Sequence, residues 1–212
     1  MSNRIAFFSD GSDLIEFFGL EDSGKAIYES HYNIARGHHI PVIERGDEEY
    51  EITRLRWGKD FEKEAEPPNV LSSEGIQKLE EDAVARAVIP ISGFYIWKRD
   101  GKNDHPFFVR KIDNSPLYIA GYTYNDKAND FTYVEMLMME SNTLIQPITG
   151  KMPLILKRDH AMEWLKNGIE AGQIHNRAQS EFLITELTVH RVSKELSDLS
   201  KNDASLIQPI PK

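Results

Sequence analysis

The sequence predicts an α+β domain: a curved, mostly antiparallel sheet or partly closed β-barrel with peripheral helices. Three observations point there. Runs of β-branched and aromatic residues fill the first three quarters of the chain, short polar breakers separate them, and helical periodicity is confined to a few segments. The runs are "RIAFF" (Arg4–Phe8), "HIPVIE" (His39–Glu44), "YEITRLRW" (Tyr50–Trp57), "RAVIPI" (Arg86–Ile91), "PFFVRK", "PLYIAGYTY" and "FTYVEMLM". The breakers "RGDEE", "DGKNDHP", "DNSP" and "NDKAND" are rich in the Gly, Asn, Asp and Pro that turns require.

"ISGFYIWKRDGK" (Ile91–Lys102) reads as a hairpin. A strand alternates its faces, so Phe94, Ile96 and Lys98 point one way, and Tyr95 and Trp97 the other. Helices are expected at "SDLIEFFG", which starts on a Ser/Asp cap and stops at Gly19, and at "KRDHAMEWLKNG", which closes at Gly168. A third, "SSEGIQKLEEDAVARA", carries apolar residues at Ile76, Leu79, Ala83 and Val84. "KDFEKEAEPPNVLSSEG" has no regular period and is about as long as loops inside compact domains become before they imply function or disorder; its acidic composition favours a solvated connection. Residues 1–212 are expected to form one domain, with 193–212 as a surface-lying tail docked through Leu206, Ile207 and Ile210.

The chain has 212 residues, 40% of them hydrophobic, and no apolar run long enough to cross a membrane as a helix, so it can bury a sizeable core. It contains no cysteine and opens on no signal-peptide pattern, so a cytoplasmic protein that is not membrane-bound is the expectation, and a monomer is expected as well. A formal charge of −9 argues against broad coating of nucleic acid and leaves room for a local basic groove.

Walker, dinucleotide-binding, HExxH and paired CxxC motifs are missing from the sequence, so no cofactor or metal is expected. His31, His38 and His39 lie close in sequence, but His38 and His39 would face opposite sides of an extended strand, which favours solvated or hydrogen-bonded histidines over metal ligands. "RGD" at Arg45–Asp47 reads as a hairpin turn, and Ser72 and Ser73 as a helix cap.

Taken in order, "MSNR", "HYNIARGHHIPVI", "LRWG", the asparagine of "PPNVLSSEG", "RAVIPISGFYIWK", "PLYIAGYTY", "MMESNTLIQPITGKMPLIL" and "NDASLIQPI" resemble the SOS-response-associated peptidase (SRAP) family, whose members shield abasic sites in DNA. The resemblance runs nearly the whole chain, and "GFY-x-W" and "KMP-x-IL" are its most specific parts. It implies four reactive positions. Where the family exposes an N-terminal cysteine that captures the abasic aldehyde through its amine and thiol, this chain has Ser2. An amine there can still form an imine, but a hydroxyl is a far poorer nucleophile than a thiol for closing the durable ring. Asn69 stands at the family's asparagine, although the residues after it, Val70 and Leu71, lack the usual arginine. Ile96 replaces the family's glutamate, and Thr149 replaces its histidine. Neither can move a proton as the originals would.

The resemblance further implies that Arg4, Trp57, Arg86, Trp97 and Asn142 lie along the DNA groove, since an arginine on a phosphate and an aromatic under an unstacked base hold single-stranded DNA without reading sequence. On composition alone, Trp57 and Trp97 fit core packing equally well. Two functions follow. One is an SRAP-like DNA-damage protein binding single-stranded or junction DNA at abasic sites with weak or lost covalent chemistry; the other is a non-enzymatic relative serving a protein partner or regulation. Surface charge around Ser2 separates them: a basic groove supports DNA, a neutral or acidic one the alternative.

Overall fold

The computed structural model describes residues 4–9, 11–20, 29–59, 79–81, 83–101, 103–166, 170, 172–173, 176 and 184–210, with the Asp13 side chain left aside. The chain runs β1 (Arg4–Phe7), α1 (Ser12–Phe18), β2 (His31–Ala35), β3 (His39–Arg45), β4 (Tyr50–Trp57), β5 (Ala85–Ile91), β6 (Gly93–Asp100) and β7 (Asn103–Lys111). It continues through β8 (Leu117–Asp126), β9 (Phe131–Met136), β10 (Met138–Glu140), β11 (Lys151–Pro153), β12 (Ile155–Leu156), α2 (Arg158–Leu165) and β13 (Leu187–Arg191).

Two sheets carry the fold, one ordered β13-β7-β6-β1-β2 and the other β12-β8-β5-β3-β4-β9. In the second, β8 also pairs with β9, so β8, β5, β3, β4 and β9 close into a ring. Within it only β4 and β9 run parallel, through Arg56↔Tyr133 and Trp57↔Val134. The α+β architecture with curved, mostly antiparallel sheets is therefore as the strand pattern predicts. The hairpins follow from their turns: β3 and β4 join where the Gly46 N–H donates to Glu49 O at 2.8 Å, which makes "RGD" part of a turn.

The main core lies where the sheets meet. Ile5, Phe7, Phe94 and Ile96 from the first sheet pack in one cluster with Ile40, Val42, Val88 and Ile119 from the second. Alternation does the sorting: Phe94 and Ile96 enter this core, while Tyr95 joins a second cluster with Ala6, Phe108, Val192 and Leu196. Gly93 is required at the crossing of β6 and β7, where a Cβ would run into the Phe108 ring and the Val109 carbonyl. Strands β5 and β8 are apolar almost throughout because α2 also packs on them; Trp164 donates its indole N–H to Ala87 O at 2.9 Å.

The second cluster is covered by the C-terminal segment. Val192 N–H donates to Pro106 O and Ile210 N–H to Arg191 O, both at 3.0 Å, while Leu206 is fully buried and Ile207 packs against the cluster. Asn33, buried in β2, turns its amide group onto three carbonyls of this segment: Leu196, Asp198 and Lys201, at 3.0–3.2 Å.

Three features differ from expectation. Ala85–Ala87 belong to β5 instead of prolonging a helix, because a ladder to β3 and β8 outweighs the helical preference of alanine; residues 79–81 are helical, and 72–78 lie outside the described residues. His38 lies in the turn between β2 and β3, not in an extended strand, so the opposed-face argument does not govern it. Strands β2, β10–β13 carry no expectation in the sequence reading, being short or interrupted by polar residues.

Candidate functional site

The site is best built from β1. Ile5 and Phe7 enter the main core, so Arg4 and Ala6 point to the other face of the first sheet. Arg4 pairs with Ala35 at the end of β2, next to the turn that carries His38. Burial lowers the Arg4 guanidinium from its ordinary value, without bringing an arginine near deprotonation.

Among the described residues, His31, His38 and Arg54 gather near Arg4. The imidazoles of His31 and His38 meet edge to face with centroids 5.6 Å apart. Both titrate below the ordinary histidine value, first through burial and then through neighbouring cations: His38 and Arg54 act on His31, and Arg4 and His39 act on His38. The β3–β4 register places His39 opposite Arg56 and Pro41 opposite Arg54, so His39, Arg54 and Arg56 share one face of that hairpin. At the other end of the same hairpin stand Asp47, Glu48, Glu49 and Glu51. Along β4 the nearest members of the two groups, Arg54 and Glu51, are three residues apart, about 10 Å of strand. Depressions of about 420 and 580 Å³ open at the acidic end, both lined by Glu48, Glu49 and Tyr50.

The structure distributes the expected site residues unevenly. Ser2 and Asn69 lie outside the described residues. Ile96 is fully buried in the main core, two positions along β6 from the Ile5↔Phe94 pair, and faces Phe107 across β7. Trp57 shares that core at 1% exposure, with the Arg36 guanidinium 5.9 Å from its ring. Trp97 is half-buried beside the second cluster. Arg86 is paired with Glu80 at 2.6 Å and lies 5.1 Å from the Trp164 ring, so its charge is already engaged. Asn142 and Thr149 occupy one turn: Asn142 Oδ1 accepts from the N–H groups of Leu144 and Ile145, and Thr149 N–H donates to Ile145 O at 3.1 Å. The Asn142 amide nitrogen is buried with no hydrogen-bond partner among the described residues.

Two pairs of residues were missed by sequence reasoning. Arg36 and Glu135 form a buried bidentate ion pair between the turn after β2 and strand β9. His31 and His38 form the ring contact just described. The sequence signal is the "HYNIARGHH" segment itself, which carries Arg36 and both histidines, with six residues of chain between His31 and His38. Among the described residues no group of three or more His, Cys, Asp or Glu side chains could hold a metal, and no helix is long and apolar enough to cross a membrane.

A family model, SOS response associated peptidase (SRAP), matches residues 1–199. The chain belongs to the SRAP family. Relatives of this SRAP protein include abasic site processing protein YedK of Escherichia coli (strain K12), 24% identical over 195 residues that cover 84% of each chain. Abasic site processing protein YoaM of Bacillus subtilis (strain 168) is 23% identical over 222 residues, covering 98% of this chain and 97% of its own. Among solved structures, a protein from Bacteroides thetaiotaomicron superposes with a TM-score of 0.77 at 18% identity, covering 99% of this chain and all of its own. A phage-related protein from Bordetella bronchiseptica gives 0.66 at 20% identity over 91% of the SRAP chain and 94% of its own.

Proposed function

We propose that this SRAP protein engages single-stranded or junction DNA at abasic sites through the face around Arg4, with the covalent capture and self-processing chemistry weakened or lost. The observation that carries the reading is the cationic end of the β3–β4 hairpin beside Arg4. In a chain of net charge −9, the fixed cations Arg4 and Arg54 lie beside His31 and His38, with His39 opposite Arg56 on the same hairpin face. Phosphates are held by such groups independently of sequence. Of the two tryptophans expected along the groove, Trp97 on β6 is half-buried and offers a partly open ring for an unstacked base, whereas Trp57 is in the core. The names of the curated relatives, abasic site processing proteins, favour the same substrate.

The weakened chemistry follows from residue type. Ile96 offers no proton and sits in an apolar core, and Thr149 has no group that titrates near neutrality. Ser2, once the initiator methionine is removed, supplies an amine with a pKa of about 7.7–8.0 and no thiol. An imine with the abasic aldehyde is then reversible. The test is to incubate the protein, its N-terminus checked by intact mass, with single-stranded DNA carrying one abasic site. An adduct that appears only with borohydride is the expected result, and an adduct that survives without reductant overturns the account of Ser2.

The acidic end of the hairpin favours a second reading, in which the fold serves a protein partner carrying basic residues. Absence of any DNA binding at low salt would make it the better account.

A further inference from the structure

We propose that Arg4, His31, His38 and Arg54 form a subsite for one phosphate group, and that filling it takes up one proton on His38. The proposal rests on the DNA reading above for the source of the phosphate, but not for the site.

The geometry assigns different roles to the two histidines. His31 Nδ1 accepts the Asn33 N–H at 3.2 Å. That bond fixes the neutral tautomer with its proton on Nε2, so His31 donates to an anion without becoming charged. His38 has its backbone N–H on Ala35 O and its ring against His31. Among the described residues, the fixed charges acting on the pair are cationic: Arg4 from β1 and Arg54 from β4. The C-terminal segment approaches β2 where Asn202 Oδ1 accepts the Tyr32 N–H. Its carboxylates are turned to their own serines, Asp198 to Ser200 and Asp203 to Ser205, and Lys201 is paired with Glu195.

Crowding cations around a half-buried imidazole keeps it neutral while the site is empty. A phosphate reverses the balance, because its negative charge beside the ring favours the imidazolium. By linkage, whatever anion raises the His38 pKa must bind more tightly as pH falls. In the empty protein the histidines titrate below the ordinary value of 6.5, so protonating them at lower pH weakens the fold, and an anion in the site offsets that loss.

The experiment measures binding of a short single-stranded oligonucleotide from pH 5.5 to 8.5 at constant ionic strength, beside NMR titration of the histidines with inorganic phosphate. The affinity should rise by up to about tenfold per pH unit on acidification through the His38 titration. His38→Gln should remove that slope, His31→Gln should weaken binding while the slope remains, and His105→Gln should change neither. In the NMR arm phosphate should raise the His38 pKa in the unaltered protein. DNA binding whose pH dependence is absent, or survives His38→Gln, overturns the subsite and leaves the DNA reading standing. A His38 pKa that rises with phosphate in a protein that ignores DNA supports the subsite for free phosphate and overturns the DNA reading. If neither ligand moves His38, the subsite is wrong.

Discussion

Arg36 and Glu135 face each other as a two-pronged ion pair, Nη1 to Oε2 at 2.7 Å and Nη2 to Oε1 at 2.6 Å, with side chains 9% and 10% exposed. The pair fastens the turn leaving β2, in the first sheet, to β9 in the ring of the second.

Removing one partner strands the other charge in a site with little access to water. Glu135→Ala should therefore cost about 3–5 kcal/mol in urea unfolding. Replacing both by apolar residues of similar volume, Arg36→Met with Glu135→Leu, should cost much less than the single change. Gly58 belongs to the same arrangement, since its φ is +88° and an added Cβ would lie 2.6 Å from Arg36 Nη2. Gly58→Ala should lower stability by about 1–3 kcal/mol, and this loss should shrink in the apolar double variant.

Glu44 gives a pH prediction. It is half-buried, and burial raises its carboxyl above the usual value of 4.5, opposed by a hydrogen bond from Thr123. A folded-state pKa above the unfolded one means that the folded protein holds the proton longer, so this contribution is complete at low pH and is lost as pH rises through the folded value. Glu44→Gln keeps an acceptor for Thr123 and removes the titration. It should be more stable than the parent at pH 7, with the gap closing as pH falls below the ordinary carboxylate range. A constant gap across pH 3–7 would show that Glu44 does not titrate with folding.

Asn33→Ala removes the amide that reaches three carbonyls. At about 0.5–1.5 kcal/mol per hydrogen bond, and with one amide shared among three acceptors, the expected loss is about 1–3 kcal/mol. Hydrogen exchange should quicken selectively in residues 196–210, whereas a purely local effect would quicken β2 alone.

Ile96→Glu with Ser2→Cys tests whether the chemistry can be put back. Cysteine alone should give a detectable adduct with an abasic site, because thiolate ring closure follows imine formation with little help. A carboxylate at position 96 meets an apolar core, so it should titrate high and destabilise the fold by several kcal/mol on the order expected for an unpaired buried charge. Mass spectrometry of adducts beside thermal unfolding separates lost reactivity from lost folding.

What could be read from the sequence was what local pattern decides. Tyr50–Trp57 alternates and is a strand with those bounds, and the "RGDEE" breaker is a turn because Gly46 and Glu49 close it. The face assignment of Phe94, Ile96 and Tyr95 also held, since strand alternation survives any tertiary context. β2 was not legible: "HYNIA" looks too polar for a buried strand until the C-terminal segment, more than 160 residues away, satisfies Asn33. The His31–His38 contact was hidden for a related reason, because it depends on a turn that folds the chain back over β2. Glu135 lies in the "FTYVEMLM" run with nothing in the sequence to mark its partner, and only the meeting of two sheets gives it Arg36.

The grip of Asn33 on Leu196, Asp198 and Lys201 has a consequence for how the protein is made. Chains are synthesised from the N-terminus at about 5–20 residues per second, so β2 emerges long before the residues that cover it. During that interval the edge of the first sheet stays open, and the Asn33 amide and the Tyr32 N–H have only water or a chaperone for company. The face around Arg4 is therefore finished last, seconds after the strands that carry it, and a ribosome-stalled chain lacking its last twenty residues should display Tyr95 and Phe108 to the cell.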